Sequence, residues 1–276
     1  MKINSFNPVA ERYSRRVVPR RSAQFLTLVN SLELRGHETV LDIGCGPAEL
    51  SLLIADRLIS GGFLYGIDLS ANMIRKAKQS AASQGRTNVA FAAGNAQQLR
   101  FADESFDLVV SSNAFPWVTD PQRFLQEVWR TLKPNGRLAM VANSDRCFRE
   151  FARAVTRISK EHRGVFPDKQ FMELIRARFY SLSDISRVID KAGFDISRRF
   201  VLSTEEPTSP EEYLRHLNAI VNEIYLDHLG RDGRRANARK LLIEALGRNN
   251  GNLTLTESFV FVIAAKANNG TWPAGR

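Results

Sequence analysis

Two glycines around a cysteine, Gly44, Cys45 and Gly46, follow the apolar run Val40–Ile43, which is interrupted by Asp42. Glycine lacks a Cβ, so the backbone can turn sharply there and approach a ligand that any side chain would push away. A helix is expected to begin near Pro47 with its free N–H groups facing the same space. A lone Gly-x-Gly also serves simply to pack a strand on its following helix, so the reading rests on what comes after it. About twenty residues beyond the glycines, a second apolar run, FLYGID, ends in Asp68, where a carboxylate can accept hydrogen bonds from both hydroxyls of a ribose. A third run, VAFAAGN, ends in Gly94 and Asn95, an amide able to meet the edge of a base. The chemistry implied is recognition of a nucleoside-type ligand.

The elements that position these residues alternate strand and helix. Residues 106–143 read as strand, loop, amphipathic helix, a Lys-Pro-Asn-Gly turn (residues 133–136) and strand. SLSDISRVIDKAGF reads as a capped helix closed by Gly193, DISRRFVLS as the next strand, and ESFVFVIAAK, residues 257–266, as the last. Two stretches are left over, and both read as helical. In the second, Ser209, Pro210 and Glu212 form a capping box with proline in the first helical position, followed by Leu214, Leu217, Val221, Ile224 and Tyr225 on one face.

In motif and spacing, residues 38–143 resemble the class I S-adenosylmethionine-dependent methyltransferases. NAD-binding dehydrogenases share the glycine turn and the strand-end acid. They carry a further glycine to seat a pyrophosphate, whereas Ala48 and Glu49 stand here and an anion at Glu49 would repel a diphosphate. The resemblance implies an α/β fold: a Rossmann-like, doubly wound, mostly parallel seven-stranded sheet with helical lid insertions. It implies one domain over residues 1–276, with the core at about 30–144, 181–203 and 256–268, an N-terminal arm at 1–25, and insertions at 145–180 and 204–255. S-adenosyl-L-methionine is the implied cofactor, contacted by Tyr13, Asp42, Gly44, Cys45, Gly46, Asp68, Leu69, Met73, Asn95, Ala96, Ser111 and Asn113. The segment after the fourth strand, SSNAFPW, should meet the methyl acceptor, with Phe115 and Trp117 as an apolar wall or as plain core residues.

Within the family, the chain is similar to the branch of the malonyl carrier-protein O-methyltransferases and the trans-aconitate and quinone methyltransferases. Pro116 stands where many quinone and sterol relatives have a histidine before the tryptophan, and the segment lacks the Asn-Pro-Pro-Tyr pattern of enzymes that methylate exocyclic amines. A small or carrier-tethered apolar acceptor, methylated on oxygen, is expected, with nitrogen or carbon open. No catalytic base is assigned and no metal is expected.

Charge bears on partners. Of the net +10, residues 41–144 contribute little, with ten basic against nine acidic side chains. The excess lies in residues 1–40 (seven against three), 145–180 (nine against five) and 228–248 (six against two). Five arginines surround Tyr13 in residues 10–21, which would suit an acidic acyl carrier protein or a solvated helix face. The competing class, an RNA-modifying or RNA-binding protein, is motivated by the basic pI but lacks interleaved aromatics. Cys45 and Cys147 are too few for a disulfide framework or zinc cage. Cys45 is expected to be a small buried residue rather than a reactive thiol. His37 is expected to be structural or solvated, and His162, His216 and His228 to be surface helix residues. With no apolar run long enough to span a bilayer and no leader, a soluble cytoplasmic protein is expected. The tail NNGTWPAGR is expected to be disordered.

Overall fold

The computed structural model describes residues 21–59, 61–147, 149–162, 164–166, 179–221, 233–248, 253–267 and 272. The expected seven-stranded sheet is present, in the order β3-β2-β1-β4-β5-β7-β6. Strands β1 (Thr39–Ile43), β2 (Phe63–Asp68), β3 (Val89–Ala93), β4 (Phe106–Ser112) and β5 (Leu132–Asn143) pair in parallel. β7 (Thr254–Lys266) inserts antiparallel between β5 and β6 (Phe194–Pro207). Parallel strands need crossovers, and the crossover helices cover both faces. α1 (Ser22–Ser31), α2 (Glu49–Ala55) and α3 (Ala71–Ser83) pack on one face through Leu28, Ile54 and Ala77. α4 (Pro121–Thr131) and α6 (Leu182–Lys191) cover the other through Phe124, Val128 and Ile185.

Local chemistry sets where these helices start and stop. The Ser70 hydroxyl accepts from Met73 N at 3.2 Å, Asp120 from Arg123 N at 2.9 Å and Ser181 from Asp184 N at 3.0 Å, each satisfying an orphan N–H of a first turn. Gly193, with φ of 82°, ends α6 as its position suggested. The Lys-Pro-Asn-Gly segment departs from expectation. It does not separate α4 from a strand; it lies within β5 as an irregularity, because Phe106 pairs with Leu132 while Leu108 pairs with Arg137, and Asn135 takes φ of 61° to absorb the extra residues.

β7 begins three residues earlier than the apolar pattern suggested. Beyond its last pair with β5, Asn143↔Phe259, residues 254–258 pair with β6 alone, roughly 15 Å of two-stranded ribbon. The ribbon carries α7 (Pro210–Val221) and α8 (Gly233–Gly247), which pack with α5 (Arg149–Glu161) around a third core that includes Phe151, Val155, Tyr213, Leu217 and Leu242. The Ser209 cap holds as expected, accepting from Glu212 N at 3.2 Å. Leu214 and Leu217 are buried, and Ile224 and Tyr225 lie outside the described residues. Trp272, in the tail expected to be disordered, is ordered against Trp129, ring centroids 6.0 Å apart. Among the described residues no helix is long and apolar enough to cross a membrane.

Because these cap helices own a core, that core should carry stability. Phe151→Ala, at a side chain 1 % exposed, is expected to lower the unfolding free energy by about 3–5 kcal/mol. Leu26→Ala, at an exposed position, should stay within about 0.5 kcal/mol. Urea titrations giving equal midpoints for the two variants would mean that the cap is not a packed unit.

Candidate functional site

The glycine turn sits where β1 ends and is tied to β2. The Ile67 carbonyl accepts from Gly44 N at 2.7 Å and from Cys45 N at 3.0 Å, and Asp68 Oδ2 accepts from Gly46 N at 3.0 Å. Gly44 and Gly46 have φ of 76° and 54°. A Cβ on Gly44 would fall inside the van der Waals radius of Ala114 Cβ, just past the end of β4, so this glycine lets the turn nest against the neighbouring loop. A Cβ on Gly46 would meet nothing, which leaves open space above the turn. Ala48 sits in the left-handed region at φ 79°, an expensive conformation for a residue with a side chain, and α2 starts at Glu49 rather than at Pro47. The half-buried Glu49 carboxyl is pushed up by burial.

Asp68 also accepts from Ser70 N at 2.8 Å. Burial raises its pKa and the two backbone donors oppose the shift, so the carboxylate is held in place with lone pairs left for a ligand. Beside it, Leu69 is 43 % exposed, a large apolar side chain at a strand end where a flat base could lie. Asn95 is exposed, and its Oδ1 accepts from Gln97 N at 2.9 Å, so part of that oxygen's capacity is already used. Ala96 is half-buried next to it, and Met73 is buried within α3. Tyr13 lies outside the described residues.

Asp42 is buried. Its Oδ2 accepts from the Ser51 hydroxyl at 2.6 Å, and Oδ1 has no partner. Desolvation, opposed by Ser51 and reinforced by Asp68, pushes its pKa from 3.8 up to about 7. Ser111 Oγ and Asn113 Oδ1 are likewise buried without partners, and Asn113 takes φ of 58° with its N–H on the Val141 carbonyl at 2.8 Å. Cys45 is buried, and its thiol is pushed well above its ordinary range by burial, then by Asp42 and Asp68, which fits an inert residue. Phe115 packs in the core against Phe124 and Tyr180, each 5.5 Å between centroids, while Trp117 is only half-buried.

Several groups at this end of the sheet escaped the pattern reading. His216 is not a surface residue: it is buried, with Nε2 3.1 Å from Glu257 Oε1 on β7. His37 and His162 are exposed, and His228 lies outside the described residues. Arg21, grouped with the arginines that would face a partner, is 2 % exposed and sits over the Phe259 ring at 5.9 Å. Gln24 is buried, its Nε2 donating to Ser112 Oγ at 2.9 Å. A glutamate inside the apolar β7 run was a visible signal; nothing in α1 marked Gln24 or Arg21.

A glycine turn locked to a strand-end acid, a second buried acid at the first strand, and unsatisfied oxygens after the fourth define the class I methyltransferase architecture. These residues fit S-adenosylmethionine: Asp68 for ribose, Leu69 and Asn95 for the base, and the orphaned oxygens of Asp42, Ser111 and Asn113 for the donors of an amino-acid end. The chain belongs to the methyltransferase-domain family, whose model matches residues 34–178. It is 39 % identical over 105 residues to a 2-phytyl-1,4-naphtoquinone methyltransferase of Trichormus variabilis, a match covering 38 % of this chain and 46 % of that protein. It is 29 % identical over 167 residues to a demethylmenaquinone methyltransferase of Listeria welshimeri, covering 58 % and 71 %. The chain thus spans about half the length of the first of these relatives. A protein of Bacillus halodurans C-125 superposes with a TM-score of 0.62 at 20 % identity, covering 89 % of this chain and 99 % of that one, a likeness of fold.

Gly44→Ala should abolish S-adenosylhomocysteine binding, a loss of at least about 100-fold by calorimetry, since both its φ and the Ala114 contact exclude a side chain. Asp42 generates a pH effect. Its folded pKa lies above the unfolded value, so the fold binds more protons, and the unliganded protein should lose stability as pH rises from about 4 to about 7, with no further change above. Asp42→Asn should flatten this slope in urea midpoints; an unchanged slope would assign it to other groups.

Proposed function

We propose that this protein is an enzyme that transfers the methyl group of S-adenosylmethionine to a small or carrier-tethered apolar acceptor, with oxygen as the nucleophile. When bound, the cofactor supplies a methyl on a sulfonium, so the transfer is an in-line displacement in which the electron pair of the broken bond stays on sulfur. The protein's own contribution is then to hold the nucleophile behind that carbon and exclude water. Asp68, Leu69 and Asn95 fix the nucleoside end, and the Gly44 turn sets its depth. The SSNAFPW segment and the three-helix cap enclose the acceptor.

The observation that carries this reading is the cap itself. α5, α7 and α8 form an apolar core of their own, mounted on the β6–β7 ribbon at the ligand end of the sheet. A lid of that kind suits an apolar molecule taken out of water. The two relatives named for quinones support an acceptor built on an oxygen-bearing ring. Docking of an acidic carrier protein loses Arg21, which is buried, and rests on Arg15, Arg16 and Arg20, outside the described residues.

Incubating the purified protein with methyl-labelled S-adenosylmethionine and host extract, then separating RNA, protein and organic-extractable material, tests the proposal. Label is expected in the organic extract, or on a small acidic protein if the acceptor is tethered. Label in RNA would overturn the substrate reading and turn the basic flanks into a nucleic-acid surface.

A further inference from the structure

α1 leads directly into β1 and runs back along the sheet, so its first turn lies at the ligand end. Gln24 stands there, 1 % exposed. Its Nε2 donates to Ser112 Oγ at 2.9 Å, and Asn113 Nδ2 points at the same hydroxyl from 3.3 Å. Two amide N–H groups therefore converge on one oxygen, which turns both amide carbonyls away from it. Gln24 Oε1 and Asn113 Oδ1 are buried, and neither has a partner. An unsatisfied buried carbonyl costs about 1–3 kcal/mol, so an apolar side chain at position 24 would be the better structural choice unless a donor arrives.

The groups fitted above to the nucleoside, Asp68 and Asn95, stand at the ends of β2 and β3, and those fitted to the amino-acid end, Asp42, Ser111 and Asn113, on β1 and at the end of β4. Gln24 meets that set at Ser112, and the polar groups that continue from it lead away from the glycine turn, toward the acceptor side. Arg21, three residues before Gln24, lies over Phe259 of β7, and Phe259 pairs with Asn143 at the end of β5. Glu257 follows on the same face of β7, where His216 of α7 meets it. Arg21, Asn143, Glu257 and His216 are all buried, and together with Gln24 they form a polar arc beneath the cap.

We infer that Gln24 is an acceptor-recognition residue: its side-chain carbonyl, aimed by the hydrogen bond to Ser112, accepts a hydroxyl or amine hydrogen of the methyl acceptor. This rests on the methyl-transfer reading above. It adds a chemical requirement, that the acceptor carry an O–H or N–H where it meets the end of β4. Gln24 touches no reacting atom in this scheme. It chooses among acceptors and sets their orientation.

The test uses the full chain saturated with S-adenosylhomocysteine and two probes built on one ring system, 2-naphthol, which carries a donor, and 2-methoxynaphthalene, which does not. The wild-type complex should bind 2-naphthol roughly tenfold more tightly or better, a donor–acceptor bond being worth about that factor. Gln24→Met should erase the preference while S-adenosylhomocysteine affinity and thermal midpoint hold. Gln24→Glu, which keeps an oxygen at that place, should restore much of it. Three results overturn the inference: no binding of 2-naphthol by the wild type, an equal loss of S-adenosylhomocysteine affinity in Gln24→Met, or a preference that survives the substitution. Labelled methyl transfer into the organic extract by the wild type stands apart from all three, so failure here leaves the enzymatic reading to its own test.

Discussion

The end of β2 holds the site together. Two consecutive residues there, Ile67 and Asp68, take three backbone N–H groups of the glycine turn between them, and Asp68 takes the first N–H leading into α3 as well. A tight turn exposes N–H groups that must find partners, and this strand end supplies them. The arrangement requires close approach at every point. Gly66 in β2 is such a point, because a Cβ there would overlap the Phe91 ring and crowd Cys45. The depth of the turn, the start of α2 and the aim of the Asp68 carboxylate thus follow from one cluster of hydrogen bonds. With the turn fixed, Gly44 can abut Ala114, and the loop after β4 inherits its position.

A second constraint is electrostatic. Much of the buried polar material lies at one end of the sheet: Arg21, Gln24, Asp42, Ser111, Asn113, Asn143, His216 and Glu257. The opposite end also buries Glu38, Thr131 and Lys266, but each of these has a hydrogen-bond partner. Burying polar groups costs free energy unless each is paired, so their concentration where loops and cap converge reflects a demand other than stability. Asp42 makes the demand plain. A carboxyl driven up to about 7 by desolvation is poorly suited to an empty interior and well suited to a cationic partner.

What the sequence revealed and what it withheld divide along a physical line. The glycine turn, the acid at Asp68, the Gly193 stop and the Ser209 cap are local, each a residue type required by backbone geometry within a few positions, and each is where the pattern placed it. The irregularity at Asn135 inside β5 is also local in cause. Its outcome was not legible, because a turn and a bulge ask for the same residues and pairing with β4 decides between them. His216, Arg21 and Gln24 were misread or missed for a different reason. Their roles arise from contacts at separations of 41 residues to Glu257, 238 to Phe259 and 88 to Ser112, which no window along the chain contains. Trp272 belongs with them, since only the fold brings Trp129 beneath it.

The same division runs through function. The elements that fit the methyl donor, β1 to β4 and their turns, make up the part of the chain with a legible motif, and they are nearly neutral in charge. The elements proposed to enclose the acceptor, α5, α7, α8 and the ribbon that carries them, follow the motif-bearing strands, and the basic excess among them is confined to α5 and α8. A fold of this kind keeps one donor site and varies the cover. The donor side is therefore a matter of backbone geometry and can be read from glycines and strand-end acids. The acceptor side, in the reading proposed above, depends on Gln24 over β4, a contact across 88 residues that exists only once the chain has folded.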